Sequence, residues 1–456
     1  MSSIIKPGSN AAAKFRQSQT LGHWLPKDRG VIRQWVNSKV KQANSANAPL
    51  SPNIQKFSNF VTSNTVLNGL ATRMFTEVPA KYIDDPTGQP QIRDFQTFIN
   101  TLNTILVTGP EFFYKPDDPD AMGLIGFPIN AILDWPMGTQ SGYAFWYLPE
   151  VNQMFEPILA DLTTFLGSSA SQKLLAASTG GWVSQQAQTL LAAKGDDGGT
   201  AYTFTQLYNC PDPSDSEYLG FQNWDQFFTR EFNDNMRPVE VPNENNLLNN
   251  SCESAPLQYQ KNVVAQDTFW LKGQPYSLSN MLNFNDQYVS QFVGGSVYQA
   301  FLSALSYHRW RSPVNGTVVD MFNVPGTYYS ENNFQGFDAS APNNSQPYIS
   351  SVATRGIIYI QAEEPIGLMA IVYIGMAEVS SCEFTVQKNQ PIQKGQELGM
   401  FHFGGSSHCM VFRPGLELVF NTPRPGPPNG NGEWEGDQTN LAVNSALALV
   451  QPTGSR

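Results

Sequence analysis

Apolar positions in the first two hundred residues recur at helical spacing. Val151, Met154, Phe155, Ile158, Leu159, Leu162, Phe165 and Leu166 fall three and four apart, which lines one face of a helix and leaves the other polar. Ile92, Phe95, Phe98, Ile99, Leu102, Ile105 and Leu106 repeat the pattern, and Ile54, Phe57, Phe60 and Val61 open another stripe. Such stripes face a core, so no chemistry is assigned to them. Between them, the stretch from Gly126 to Pro136 is apolar but interrupted by Pro128 and Pro136.

Past Gly195-Asp196-Asp197-Gly198-Gly199 and Pro211-Asp212-Pro213-Ser214-Asp215, which are turn and linker sequence, the periodicity changes. Thr317 to Phe322, Ile357 to Ile360 and Met369 to Ile374 are rich in β-branched and aromatic residues and read as strands. Cys382-Glu383-Phe384-Thr385-Val386 alternates like a half-buried strand. The longest apolar run, Ile366 to Met376, falls short of the ~18 residues of a membrane span and reads as a buried strand. Residues 423–432 are dominated by proline and glycine and precede a last apolar stretch, Leu441 to Val450. The expected architecture is α+β: an N-terminal segment, partly disordered, over 1–50; a helical domain over 51–205; a β-rich domain over 206–422; and a Pro/Gly-rich tail with a short apolar element over 423–456.

Charge narrows the partners. With 27 basic and 38 acidic residues the chain carries a formal net charge of −11, which opposes binding to phosphate backbones and argues against nucleic acid as a ligand. Cys210, Cys252, Cys382 and Cys409 lie far apart with no C-x-x-C pair, so no zinc cage is expected and reduced thiols of an intracellular protein are. The first 27 residues hold four basic side chains, Lys6, Lys14, Arg16 and Lys27, and no acid. That fits a mitochondrial transit peptide as the alternative to a cytoplasmic location, although Pro7-Gly8 interrupts any amphipathic helix.

The candidate chemistry lies with three of the four histidines. His402 and His408 flank Phe403-Gly404-Gly405-Ser406-Ser407, and His308 sits in Tyr307-His308-Arg309-Trp310-Arg311. Gly404-Gly405-Ser406-Ser407 reads either as a plain β-turn or as a serine on an exposed tight turn with a histidine near enough to take its proton. It lacks the second glycine of a G-x-S-x-G hydrolase elbow.

The run Leu398-Gly399-Met400-Phe401-His402-Phe403-Gly404-Gly405-Ser406-Ser407 resembles the self-cleavage site of the phosphatidylserine decarboxylase family. Tyr307-His308-Arg309-Trp310 with Pro313-Val314-Asn315-Gly316 resembles its histidine motif. Phe227-Phe228-Thr229-Arg230-Glu231-Phe232 with Arg237-Pro238 is similar to its opening motif, and Lys272-Gly273-Gln274-Pro275-Tyr276-Ser277-Leu278 to another. Within the family, the extra helical region and the stretch from Gly126 to Thr139 are most similar to the fungal L-tryptophan decarboxylase-like branch.

The resemblance implies a β-rich catalytic domain and a zymogen. Ser406 would attack the Gly405 carbonyl, an N→O acyl shift would give an ester, and β-elimination would break the chain between Gly405 and Ser406. Loss of ammonia would leave a pyruvoyl group at the head of residues 406–456, the two cleavage products remaining associated. A substrate amine would condense with that ketone as a Schiff base, and the pyruvoyl group would take up the electrons released with CO₂, the role that pyridoxal phosphate plays elsewhere. The implied substrate is a free amino acid, aromatic and tryptophan-like, or the headgroup of phosphatidylserine. The implied site residues are Ser406, His308 and Glu253, the last standing where the family usually has an aspartate.

One position departs from the family. Its usual second histidine, in Y-H-R-x-H, is Arg311, and a guanidinium cannot act as a general base near neutral pH. Two structural roles are open to Arg311: an ion pair with Glu253, or a bidentate hold on a substrate carboxylate. Arg311 also motivates the alternative of an unprocessed, inactive homologue acting as a binding protein.

Overall fold

The apolar stripes fold as helices in the computed structural model, which describes residues 24–25, 29–82, 90–114, 122–196, 201–267, 276–332, 345–378, 381–403, 406–421 and 440–454. The helices ahead of residue 200 are α1 (Arg29–Ala46), α2 (Pro52–Ser63), α3 (Thr65–Arg73), α4 (Phe95–Ile105), α5 (Pro128–Met137), α6 (Gln140–Tyr147), α7 (Pro149–Leu166) and α8 (Gln185–Gly195), and shorter ones follow among the described residues. Polar residues set their starts: Asp94 accepts the Thr97 amide at 2.7 Å, and Thr139 accepts the Gly142 amide at 2.9 Å. The proline-interrupted stretch is itself helix α5. Pro128 occupies its first turn, where no amide is needed, and Pro136 falls in its last. A two-stranded hairpin, β1 (Glu111–Tyr114) with β2 (Met122–Ile125), leads into α5.

The remaining strands are β3 (Leu247–Asn249), β4 (Ala255–Lys261), β5 (Ser296–Leu302), β6 (Arg309–Arg311), β7 (Gly316–Val324), β8 (Arg355–Ala362), β9 (Leu368–Gly375), β10 (Ser381–Phe384), β11 (Pro391–Ile392), β12 (Glu397–His402), β13 (Ser406–Phe412), β14 (Leu416–Phe420) and β15 (Ala446–Pro452). They form a seven-stranded antiparallel sheet in the order β11-β7-β8-β9-β13-β5-β4, and two three-stranded sheets, β10-β12-β6 and β14-β15-β3. The α+β expectation holds. Strands β5 and β9 are buried at nearly every position, which requires cover on both faces and explains their apolar sequence.

Helical region and sheet share one hydrophobic core. Contact concentrates at one end of the large sheet. The Trp24 indole donates to the Leu302 carbonyl at 3.0 Å, and its ring stacks on Phe127, centroids 4.3 Å apart, just ahead of α5. Trp146 of α6 packs edge-on against Tyr329, and Asn152 of α7 accepts the Tyr328 amide at 3.1 Å. The Gly404-Gly405 pair, Lys272 to Pro275 and the Pro/Gly-rich 423–432 lie outside the described residues.

Candidate active site

Register places Ser406. Arg355, Ile374, Ser407, Phe301 and Ala255 form one row across β8, β9, β13, β5 and β4. The next row outward is Gly375, Ser406 and Leu302, where these strands end. Ser406 is therefore the first residue of β13, an interior strand paired on both sides. The turn expected over Gly404 to Ser407 gives way to a strand at its second half, because β5 and β9 supply ladder partners that a four-residue reading cannot see. With strands ~4.8 Å apart, segments leaving β5, β9 and β4 at this end reach the same neighbourhood. His308 follows β5, Glu253 precedes β4, and Glu378 follows β9.

His308 is fully buried between aromatic rings. Phe228 stacks on it with centroids 4.1 Å apart, and Trp24 meets it edge-on at 5.8 Å. Neither ring nitrogen has a hydrogen-bond partner of good geometry. Burial holds the imidazole well below its usual range, the Arg230 guanidinium adds to the effect, and the backbone of Ser306 and Ser303 opposes it. His308 is thus neutral, with one nitrogen able to accept a proton and the other able to give one.

Glu253 is buried beside the same sheet end. Arg237 pairs with its Oε1, and Asn440 donates to Oε2 at 2.9 Å. Burial nevertheless pushes its carboxyl up to about 7, with Arg237 acting in the opposite sense. Arg311, for which a pair with Glu253 was one of two open roles, is elsewhere: its guanidinium donates to the Tyr307 hydroxyl at 2.9 Å and lies 3.6 Å from Glu397. Only the Arg311 backbone reaches the Glu253 segment, its amide donating to Ser251 at 2.9 Å while Ser251 Oγ donates to its carbonyl at 2.8 Å. The β6–β12 pairing sets Arg311 directly opposite Glu397, which puts the two side chains on one face of that sheet. Arg237, quoted in the opening motif, is the residue that neutralises Glu253.

The other two histidines separate. His402 lies between two carboxylates, with Nδ1 3.0 Å from Asp225 and Nε2 2.7 Å from Glu383. The Asp225 hydrogen bond, offset partly by burial, holds it above its ordinary value. His408 is buried without a partner on either nitrogen, near the rings of Tyr298 and Tyr373, and burial pushes it down to about 3.

Two residues at this end were missed by sequence reasoning. Trp24 lies ahead of the first apolar stripe and belongs to no motif. Glu378 is 3% exposed; its Oε1 accepts the amides of Ile129 and, at 3.0 Å, Asn130, the first turn of α5. The available signal was an acid placed directly behind the longest apolar run.

Comparisons with known proteins place the chain in a family. Two phosphatidylserine decarboxylase family models match, one over residues 51–191 and one over 224–426. The chain belongs to the phosphatidylserine decarboxylase family and is a carboxy-lyase. Among its relatives, decarboxylase iboD of Amanita muscaria is 40% identical over 70% of this chain and 93% of its own. The L-tryptophan decarboxylase of Psilocybe cubensis is 32% identical over 88% of this chain and 91% of its own. Phosphatidylserine decarboxylase proenzyme 3 of Schizosaccharomyces pombe is 29% identical over 43% of this chain and 19% of its own. The similarity therefore supports the fungal tryptophan decarboxylase-like branch.

Proposed function

We propose that the chain is a self-processing, pyruvoyl-dependent decarboxylase of a free amino acid, aromatic and tryptophan-like. The observation that carries this reading is the position of Ser406 at the covered end of the interior strand β13, with the segments bearing His308 and Glu253 arriving at the same end. Coverage supports an amino acid over phosphatidylserine, since similarity to L-tryptophan decarboxylase extends over 88% of the chain and similarity to the proenzyme over 43%. No helix among the described residues is long and apolar enough to cross a membrane.

The chain's own residues supply the cut. Ser406 Oγ bonds to the Gly405 carbonyl carbon as the amide C–N bond breaks, and β-elimination then releases the Gly405 carboxylate. His308, held neutral by burial between Phe228 and Trp24, fits the proton transfers that Arg311 cannot perform. Glu253, held by Arg237 and Asn440, positions the neighbouring backbone.

The residues present fit a pyruvoyl group at position 406: Trp24, ahead of the helical region, covers the strand end through Leu302, the ladder partner of Ser406, and the segment bearing His308 leaves the neighbouring strand at the same end. Such a group supplies a carbonyl that condenses with the substrate amine and withdraws the electron pair left as CO₂ departs. Trp24, Phe127 and Phe228 exclude water from the His308 side of the site. Residues 406–456 stay bound after cleavage, because β13 is paired with β5 and β9, and β15 with β14 and β3.

Mass spectrometry of the purified protein tests the cut. Two chains, the smaller beginning at residue 406 with its amino group lost, support the reading; one intact chain overturns it. CO₂ release from tryptophan, phenylalanine, tyrosine and phosphatidylserine then fixes the substrate.

A further inference from the structure

A cavity of about 350 Å³ lies in the seam between the helical region and the β-rich region. Tyr147, at the end of α6, and Glu156 of α7 line one side of it. Phe284, Tyr328, Ser351 of the helix Gln346–Val352, and Arg355, the first residue of β8, line the other. Its size falls within the ~300–1,000 Å³ of small-molecule sites, which favour the junction of two regions. It opens beside β8, and β9 stands between that strand and β13.

Three polar groups in the cavity lack the partner that each calls for. Ser351 is 5% exposed, and its hydroxyl has no hydrogen-bond partner. Burying such a group is costly unless something else satisfies it. Arg355, also buried, donates to the carbonyls of Met281, Ala353 and Asn280 at 2.9, 2.7 and 2.6 Å. Those acceptors are neutral. No carboxylate among the described residues offsets the charge, and burial pushes the guanidinium down to about 10. Glu156 is exposed and has no cation within ion-pair distance among the described residues. Its carboxylate acts on Tyr328: burial first and Glu156 second push that hydroxyl up to about 12, opposed by its hydrogen bond with Thr354. Aromatic rings stand around these charges, those of Tyr147 and Phe284 exposed to solvent.

We propose that this cavity binds a free amino acid with an aromatic side chain, held as its zwitterion. The carboxylate meets Arg355, the ammonium meets Glu156, and the ring lies among Tyr147, Phe284 and Tyr328. The Ser351 hydroxyl, able to give or take a hydrogen bond, serves either charged end. A ligand carrying a single charge would leave Arg355 or Glu156 unanswered, and a small polar one would leave the rings bare. Because the ligand spans α7 and β8, its binding to the folded state raises the melting temperature. The site is one of binding alone and stands whether or not the chain is cut ahead of Ser406.

The full chain carrying Ser406→Ala serves for the test, since no carbonyl can form there to consume the ligand. Calorimetric titration compares L-tryptophan and L-phenylalanine with the corresponding amines, which lack the carboxylate, and the corresponding acids, which lack the amino group. Glu156→Gln, Phe284→Ala and His308→Asn are then added singly. The expected result is saturable binding of at least one of the two amino acids, weaker binding of both its partial analogues, and a melting temperature that rises with ligand. Glu156→Gln should weaken amino-acid binding roughly tenfold to a hundredfold. Phe284→Ala should weaken it by about tenfold through lost apolar contact, and His308→Asn should leave it unchanged.

No saturable binding at millimolar ligand overturns the proposal. So does binding that Glu156→Gln or Phe284→Ala leaves unchanged, and binding that His308→Asn weakens, which would lie at the strand end. Glu156 and Phe284 are both exposed, so neither substitution should unfold the chain. Melting curves check each, and if one variant fails to fold the other carries the test. An uncleaved parent would sink the decarboxylase reading and leave this test as it stands.

Discussion

Trp24 and His308 meet edge to face, with ring centroids 5.8 Å apart and planes inclined by 62°. The contact joins a residue ahead of the first helix to the histidine that follows β5, so the helical region contributes directly to the surroundings of the strand end. Trp24→Ala removes this contact, the stack on Phe127 and the donor to Leu302 together. It is expected to lower stability by ~3–5 kcal/mol and to admit water beside His308. Melting curves and decarboxylation rates check this; Trp24→Phe, which keeps the ring contact but not the donor, falls between parent and alanine.

His308→Asn and Ser406→Ala should part company. Without the hydroxyl no ester forms, so Ser406→Ala stays a single chain. His308→Asn removes a group suited to proton transfer and is expected to slow product formation by ~10²-fold or more. Mass spectrometry after timed incubation, followed by the CO₂ assay on whatever two-chain enzyme forms, shows which of the two steps needs the imidazole.

Arg237 and Glu253 form a buried pair whose side chains are 14% and 1% exposed. Arg237→Ala leaves an uncompensated carboxylate inside and is expected to cost ~3–5 kcal/mol. Adding Glu253→Gln should recover most of that loss, since the neutral amide keeps a partner in Asn440. A double-mutant cycle on melting data reads the coupling; additive losses would refute it.

His402 makes stability depend on pH. Its carboxylate neighbours, Asp225 and Glu383, raise its affinity for protons above the ordinary value of 6.5. The folded state therefore holds the proton to higher pH than the unfolded chain. The stabilisation is whole below pH ~6.5 and is lost as pH rises through the raised value. Glu253 and Glu378, both pushed up by burial, act in the same direction over neutral pH. The comparison must accordingly be with His402→Gln, whose melting temperature should fall less steeply between pH ~6 and ~9.

Helices α2, α4 and α7 and strands β7, β8 and β9 were legible because one side of each is apolar at its natural period, or because a run is apolar throughout. Strand β13 was not, since Gly404-Gly405 ahead of it is turn sequence and its strand character comes from the partners on both sides. The motifs identified Ser406, His308 and Glu253 as residues that belong together. They could not show that Glu253 pairs with Arg237 rather than Arg311, because that depends on which way β6 turns its side chains against β12. Trp24 and Glu378 were silent for a similar reason: each matters through neighbours more than a hundred residues away in the chain.

The interior position of β13, between β9 and β5, bears on how a cleaved chain would regain its fold. With a cut ahead of Ser406, the strand between β5 and β9 belongs to a different molecule from its neighbours. The precursor folds as one chain, at a rate indifferent to its concentration. The processed enzyme, once unfolded, must find its smaller half by collision, so its recovery from denaturant should rise with protein concentration while that of Ser406→Ala does not. Self-cleavage would then be a step after which the folded state is easily kept and slowly rebuilt.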